Sequence, residues 1–295
     1  MGRIDLHVHS RHSNDGEKSI EEILGEARAV GIDVISVTDH NCVRGVAPMI
    51  LKAPQYRVKV IPGIEIDCIH QGKNLHLLGY MIDHRALVFE KLKLETDAME
   101  KATVRKKVKN LRKMGFPLTL EEVRGFGGDQ IPTGELFAEI LLRNPENLDL
   151  PELLPYRKGG LRADNPYLNF YYDFLAPGKP AHVPIPYMDL LSAIKLVKEQ
   201  GGISVLAHPK PSLGKDWVFL QEIFDLGVQG LEVFTSYHSQ DDSREYLSFL
   251  GEKSVRFTSG SDYHGKNKPK IRLGDVGCLG YEKQILEFLG VDGNE

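Results

Sequence analysis

The sequence predicts an α/β fold in which helices join the strands of a largely parallel sheet. Short apolar, β-rich segments alternate with amphipathic helical patterns through the first 80 residues, and the same alternation returns from about residue 188. The strands are apolar almost throughout, which is typical of a parallel sheet covered by helices. A barrel and an open doubly wound sheet both fit this pattern.

Seven strands are predicted, and the helices between them have recognisable boundaries. The first helix begins after Ser19, which forms a capping box with Glu22, and it ends at Gly31. The segment MDLLSAIKLVKEQGG, which starts at Met188, repeats this pattern before the fifth strand. The predicted strands are residues 4–9, 34–38, 58–66, 75–80, 203–208, 230–234 and 256–262.

The middle of the chain, about residues 85–180, has a different pattern. A long helical pattern over residues 86–114 is followed by segments rich in Pro, Gly and Tyr, such as NPENLDLPELLPYRKGG. We therefore expect an inserted, mainly helical subdomain. The predicted organisation is a first part of the α/β core at residues 1–84, the insertion at residues 85–180, and a second part of the core at residues 181–295.

Charge and cysteine content exclude several classes of protein. The 37 basic and 41 acidic residues give a formal net charge of −4, so the whole molecule has no electrostatic preference for nucleic acid or anionic lipid. The three cysteines lack CxxC spacing, which argues against a disulfide framework and indicates a reducing compartment. No apolar segment approaches the roughly 20 residues needed to span a bilayer, and MGRIDL has no signal-peptide pattern. We therefore expect a cytoplasmic protein that does not bind membranes.

Side chains that could bind a metal ion or transfer a proton lie at or directly after the predicted strand ends. The carboxyl ends of parallel strands meet at one rim in βα folds, so these side chains are expected to lie close together. The residues are His7, His9, Asp15, Asp39, His40, Glu65, His76, His208, His238, Asp262 and His264.

Each of these residues also has an ordinary structural explanation when taken alone. A single histidine near a strand end is usually satisfied by hydrogen bonds, Asp39 could cap a helix, and Glu65 could belong to an ion pair. So many ionisable groups at one rim would be costly unless their charges were neutralised, and divalent cations are the usual means. The mixture of imidazole nitrogen and carboxylate oxygen, without thiolate, predicts zinc, manganese or iron rather than magnesium or calcium.

Six short segments, in a fixed order along the chain, carry a resemblance to a known family. They are DLHVHSRHSNDG, SVTDHN, PGIEI, HLLGY, VLAHP and GSDYHG. This series closely resembles the successive motifs of the PHP (polymerase and histidinol phosphatase) superfamily of metal-dependent phosphoesterases, and it spans residues 5–80 and 200–265. The branch it resembles most includes nucleoside 3′,5′-bisphosphate phosphatases and a 5′-to-3′ exoribonuclease of short RNAs. The resemblance implies a distorted seven-stranded (β/α)7 barrel with two to three divalent metal ions.

The resemblance also implies a role for each metal-competent residue. The implied ligands are His7, His9, Glu65 and Asp262 for the first metal ion, Glu65, His76 and His208 for the second, and Asp15, His40 and His264 for the third. Asp39 would orient a ligand histidine without binding metal itself. The segment HSRHSNDG is one residue longer than the usual motif, so Asn14 and Asp15 share the position of one ligand.

The mechanism that the resemblance implies is hydrolysis of a phosphate ester. A hydroxide held between the first two metal ions would attack phosphorus in line, while the third ion steadies the phosphate and the leaving oxygen. His238, on the same rim, would hydrogen-bond the phosphate or protonate the leaving group. A loop histidine that faces solvent explains His238 equally well.

The insertion offers further candidate substrate contacts. Residues 101–113 carry seven basic and no acidic residues, with Val108 and Leu111 on an apolar helical stripe. A solvated helix face is the more common explanation for such a charge run. Alternatively, Arg105 or Lys109 binds phosphates beyond the one that is cut.

We predict a phosphoesterase that acts on a small phosphomonoester, either a nucleotide bisphosphate or the terminal phosphate of a short oligonucleotide, with no obligate protein partner. The related branch usually carries an Arg-Pro-His element where this chain has IPTGELFAEIL, which favours a non-nucleotide metabolite such as histidinol phosphate as the alternative substrate. A non-catalytic metal-binding module is the alternative of another class. The amidohydrolases begin with a similar HxH strand, but they usually have a metal-bridging lysine that the sequence does not place.

Overall fold

The structure is a computed structural model that describes residues 3–127, 131–251 and 256–291. Its residues form two compact units. Where described, residues 1–92, 187–265 and 271–295 form the first unit, and residues 93–186 and 266–270 form the second. The division into domains at residues 84 and 180 stays a prediction.

The strands of the first unit form two sheets. One sheet has the order β1-β2-β3 and is parallel throughout. The other has the order β6-β4-β5-β7-β8-β9, in which β5 runs antiparallel to both of its neighbours. The strands in the described part of the chain are β1 Arg3–Val8, β2 Ile32–Val37, β3 Lys59–Val60, β4 Gly63–His70, β5 Lys73–Tyr80, β6 Met188–Asp189, β7 Ile203–Leu206, β8 Gly230–Thr235 and β9 Phe257–Gly260.

The predicted α/β class is confirmed, but a single barrel of seven strands is not. The predicted strand at residues 58–66 divides into β3 and β4 around Pro62, which has no N–H to donate to a sheet. Strands β4 and β5 are joined by Gln71 and Gly72, both at positive φ (47° and 78°). Two residues at positive φ suit a tight hairpin and are too few for a parallel crossover. This connection reverses β5 within an otherwise parallel series.

Backbone bonds connect the two sheets beside the carboxyl ends of β1, β2 and β9 and near the start of β4. The N–H of Asp262, after β9, donates to the carbonyl of His7 on β1 at 2.8 Å. The N–H of Asn41, after β2, donates to the carbonyl of Glu65 on β4 at 2.7 Å. The ends of β1, β2, β4 and β9 are therefore held side by side, although they belong to different sheets.

The helices pack on these sheets and also build the second unit. Two apolar clusters fill the first unit, and a third fills the second. No helix in the described residues is long and apolar enough to cross a membrane. The helices are α1 Ile20–Val30, α2 Val46–Lys52, α3 Leu87–Lys113, α4 Leu120–Gly127, α5 Gly134–Arg143, α6 Pro166–Phe170, α7 Leu190–Glu199, α8 Pro209–Leu213, α9 Trp217–Asp225, α10 Gln240–Leu250 and α11 Glu282–Phe288.

The long helix α3 has the amphipathic pattern that the sequence predicts. Val108 and Leu111 are buried in the apolar cluster of the second unit, where they pack with aromatic rings such as that of Phe116. Arg105 and Lys109 are exposed on the same helix. Arg105 and Lys109 therefore lie away from the buried face of α3.

The capping box at the start of α1 gives a stability prediction. The Ser19 hydroxyl accepts from the Glu22 N–H at 3.2 Å, and the Glu22 carboxylate accepts from the Ser19 N–H at 2.8 Å. Replacing Ser19 with alanine is expected to lower the free energy of unfolding by about 1 kcal/mol, because the first turn loses an acceptor for its N–H groups. Urea denaturation measures the change, with Ser19→Thr as the control that keeps the hydroxyl. Equal stability of the alanine variant and the wild type would contradict the prediction.

Candidate metal centre

The first group of predicted ligands surrounds the end of β1. His7 and His9 point to the same side because they alternate along the strand, and their Nε2 atoms lie 3.1 Å apart. The Glu65 Oε2 atom lies 3.2 Å from His7 Nε2 and 3.1 Å from His9 Nε2. Asp262 Oδ1 lies 3.4 Å and 3.2 Å from the same two nitrogens. All four residues are almost completely buried.

A second group forms around the other oxygen of Glu65. Its Oε1 atom lies 2.9 Å from Nδ1 of His76, on the neighbouring strand β5, and 3.2 Å from Nε2 of His208, which follows β7. The one carboxylate therefore belongs to both groups. This is the bridging position that the sequence motifs imply for Glu65.

The third group brings the first loop against two histidines. Asp15 Oδ2 lies 3.0 Å from His264 Nε2 and 3.6 Å from His40 Nε2. The His9 ring stacks on the His264 ring with centroids 3.9 Å apart. The carboxylate that reaches this group belongs to Asp15, which favours Asp15 over Asn14 for the predicted ligand position.

Two residues of these groups have unusual backbone conformations. His208 has φ 22° and Asp262 has φ 60°, values that are uncommon for residues other than glycine. Each follows the end of a strand, β7 or β9, and each turns its side chain into the cluster. Strained backbone of this kind concentrates at functional sites because the surrounding structure must enforce it.

Burial and neighbouring charges shift the pKa values within the cluster. Burial raises the pKa of the Glu65 carboxyl, but the adjacent histidines, His7 foremost, more than offset this and hold that pKa well below its usual range. Burial and the charge of His264 lower the pKa of His9 to about 4. Glu65 is therefore ionised and His9 neutral at pH 7. Burial lowers the pKa of His7, but Glu65 and Glu232 more than offset this and hold that pKa well above its usual value, so a bound cation would have to displace a proton from His7.

The spacing of the ligand atoms fits bound cations. Metal–ligand bonds of about 2.1 Å place neighbouring ligand atoms roughly 3.0–3.4 Å apart around the ion. The distances within the first group fall in this range. Glu65 Oε2 and His264 Nε2 are buried and form no well-aligned hydrogen bond with any described residue. A cation between such atoms would satisfy them, and the N and O donors suit zinc, manganese or iron.

Two buried carboxylates beside the cluster were not predicted from the sequence. Asp67 lies two residues after Glu65 on β4, and its Oδ1 is 3.2 Å from both His40 Nδ1 and His76 Nε2. Glu232 lies on β8, and its Oε1 is 2.9 Å from His7 Nδ1. The sequence carries a signal for each: Asp67 has the same strand alternation as Glu65, and Glu232 is an isolated acid in an apolar strand.

Asp39 occupies a different position from the one predicted. Its two oxygens accept hydrogen bonds from the backbone N–H and the hydroxyl of Ser10, at 2.7 and 2.8 Å. Burial raises the pKa of the Asp39 carboxyl to about 7. Asp39 therefore anchors the backbone that follows His9, whereas the sequence indicated a partner for a histidine ring.

The residues predicted to contact substrate lie outside these ligand groups. His238 donates from Nδ1 to the Val233 carbonyl at 2.7 Å, and burial lowers the pKa of its ring. The preceding residue, Tyr237, reaches the cluster, because its hydroxyl donates to Asp262 Oδ2 at 2.5 Å. Arg105 and Lys109 are exposed residues of the second unit.

The chain is similar to several known proteins. The PHP domain family model matches residues 5–122. The chain is 27% identical to the 3′,5′-nucleoside bisphosphate phosphatase of Chromobacterium violaceum, over 90% of this chain and 88% of that protein. It is 26% identical to the phosphoribosyl 1,2-cyclic phosphate 1,2-diphosphodiesterase of Eggerthella lenta, over 89% of this chain and 94% of that protein.

A solved structure shares the fold. The protein comes from Bifidobacterium adolescentis and is assigned to the metal-dependent phosphoesterases. It superposes with a TM-score of 0.75 at 23% identity, over 98% of this chain and 96% of the other. At this identity the likeness establishes the fold.

Proposed function

We propose that this chain, whose residues 5–122 match the PHP domain family model, is a metal-dependent phosphoesterase that hydrolyses a phosphomonoester at a centre for up to three divalent cations. The observation that supports this most directly is the convergence of nine predicted ligand residues into three groups that share members, while a fourth group in the described residues joins Asp67 to His40 and His76. In each group the candidate ligand atoms lie within 4.8 Å of one another. The proposed ligands are His7, His9, Asp15, His40, Glu65, His76, His208, Asp262 and His264.

The side chains of the centre would hold the cations and keep them close together. Glu65 joins the first two groups through its two oxygens, and His9 belongs to both the first and the third. When bound, divalent cations neutralise the charge of phosphate oxygens and lower the pKa of water toward neutrality, which supplies the nucleophile at phosphorus. The buried walls around Glu65 and His7 exclude bulk water and so strengthen these electrostatic effects.

The contacts of His238 narrow its proposed role. Its Nδ1 proton is held by the Val233 carbonyl, and its lowered pKa makes the ring neutral at pH 7. A neutral ring in this arrangement has no spare proton for a leaving group. We therefore propose His238 only as a hydrogen-bond acceptor at Nε2.

The proposed substrate is a small phosphorylated compound of the nucleotide class, with a nucleoside 3′,5′-bisphosphate as the first candidate. Both named relatives act on phosphorylated pentose derivatives, which supports this class. The related branch has an Arg-Pro-His element where this chain has residues 131–141. Here the segment begins helix α5, and the Thr133 hydroxyl caps that helix by accepting a hydrogen bond from the Leu136 N–H at 3.3 Å. Binding of additional phosphates by Arg105 and Lys109, which are exposed on α3, stays a prediction.

Metal analysis combined with a phosphate-release screen tests this proposal. Protein purified without chelator is expected to contain zinc, manganese or iron. It should release phosphate from at least one of a nucleoside 3′,5′-bisphosphate, a short 5′-phosphorylated RNA, a 1,2-cyclic ribose phosphate, histidinol phosphate and an aryl phosphate. Cation at 100 times its dissociation constant should stabilise the fold by about 2.7 kcal/mol, measured by thermal unfolding with and without chelator. Absence of bound metal, or no phosphate release with added manganese or zinc, would refute the proposal.

A further inference from the structure

Glu232 is a fully buried glutamate between two apolar residues of β8, Leu231 and Val233. Each of its carboxylate oxygens has a different partner. Oε1 lies 2.9 Å from Nδ1 of His7, and Oε2 accepts a hydrogen bond from the backbone N–H of His208 at 2.8 Å. One side chain of β8 therefore contacts two of the proposed ligand residues, on β1 and directly after β7.

We propose that Glu232 is a positioning residue that presents His7 and His208 to the cations, an inference that rests on the proposed function. An ionised carboxylate only accepts hydrogen bonds, so the contact with His7 places the ring proton on Nδ1. When a cation is bound, Nε2 of His7 would offer it the lone pair. Nε2 is the atom that faces Glu65 Oε2 at 3.2 Å and Asp262 Oδ1 at 3.4 Å. Glu232 therefore selects the tautomer of His7 that can act as a ligand through Nε2.

The second contact acts on the backbone of His208. This residue has φ 22° and ψ 65°, a sparsely populated conformation for a residue with a side chain. The bond from its N–H to Glu232 offsets part of the cost of that conformation. The same conformation directs His208 Nε2 to within 3.2 Å of Glu65 Oε1. Glu232 thus supports ligands of two different groups.

The backbone of Gly260 approaches the Glu232 carboxylate closely. A Cβ atom at Gly260, on the neighbouring strand β9, would lie 2.7 Å from Glu232 Oε1. A buried carboxylate is costly unless both oxygens are well paired. The contacts to His7 and His208 supply that pairing. The negative charge of Glu232 and its contacts with His7 and His208 are therefore expected to depend on one another.

Replacing Glu232 with glutamine tests its positioning role, because glutamine has nearly the same volume as glutamate. The amide has one acceptor and one donor, so in either orientation a donor faces His7 Nδ1–H or the His208 N–H. Zinc affinity of the chelator-treated protein, measured by calorimetry, is expected to fall about 10–100-fold. The matched control is Val233→Ala, because Val233 follows Glu232 on β8 and packs in the apolar core. The control should lose stability and keep the zinc affinity of the wild type.

The tautomer of His7 provides a second test that needs no Glu232 variant. Long-range ¹H–¹⁵N correlation of zinc-loaded wild-type protein, labelled at histidine, should show His7 protonated at Nδ1. Protonation at Nε2, or a wild-type zinc affinity in a folded Glu232→Gln variant, would overturn the inference while the proposed function stands. A wild-type protein that takes up no zinc, manganese or iron would refute the proposed function and, with it, this role.

Discussion

Replacing Glu65 with glutamine is expected to lower kcat/KM for metal-dependent phosphate release by at least about 10³-fold. Glu65 is fully buried on β4, and its oxygens face in two directions. Oε2 lies 3.1 Å from His9 Nε2, and Oε1 lies 2.9 Å from His76 Nδ1. Glutamine would replace one oxygen with a donor and remove the negative charge that two ligand groups share. Steady-state kinetics and metal content of the same sample measure the effect.

Two other substitutions on β4 separate this effect from general damage. Asp67→Asn changes a carboxylate beside the histidines that belongs to none of the three proposed ligand groups, and a smaller loss of about 10–100-fold is expected. Cys68→Ala changes the next residue, which packs in the apolar core, and should leave activity near the wild-type value. A Glu65→Gln variant that keeps metal and more than a tenth of the activity would refute the bridging role of Glu65.

The positions of the proposed ligands could be predicted because they depend on local rules. Alternation along β1 places His7 and His9 on one side, and the carboxyl ends of parallel strands converge. Glu65, near the start of β4, and His76, within the antiparallel strand β5, do not follow this rule, because they reach the cluster through the sheet order. The order of motifs then assigns each residue to a group. The reversal of β5 also has a local cause. Gln71 and Gly72 form a two-residue connection between β4 and β5, which is the length of a tight hairpin turn.

The supporting carboxylates could not be assigned from the sequence because their roles depend on contacts between distant segments. Glu232 meets His7 only because β8 pairs with β9 and the end of β9 bonds to β1. Asp67 meets His40 only because β2 and β4, which belong to different sheets, are bridged at their ends. The spacing of residues within one segment of the sequence does not show which residues of distant segments lie beside it. Strand alternation could mark such residues as candidates, but their partners follow from the sheet order.

Replacing Gly260 with alanine is expected to disrupt the fold and the centre together. An added Cβ would lie 2.1 Å from the Cβ and 2.6 Å from the backbone N of His7, which are atoms that no side-chain rotation can move away. Strand β9 would have to separate from β1, where Asp262 N–H donates to the His7 carbonyl. The free energy of unfolding should fall by about 3 kcal/mol or more, and His7 should be displaced from its ligand position.

Denaturant unfolding and zinc titration of the same variant measure both parts of this effect. Gly25→Ala is the matched control, because Gly25 lies within helix α1 and a Cβ there meets nothing within 4 Å. Alanine in a helix is favoured over glycine by roughly 0.5–1 kcal/mol, so the control should be slightly more stable than the wild type. A Gly260→Ala variant with wild-type stability and zinc affinity would show that β9 does not approach His7 this closely. That result would also show that β9 does not approach the Glu232 carboxylate this closely, because the same added Cβ would lie 2.7 Å from its Oε1 atom.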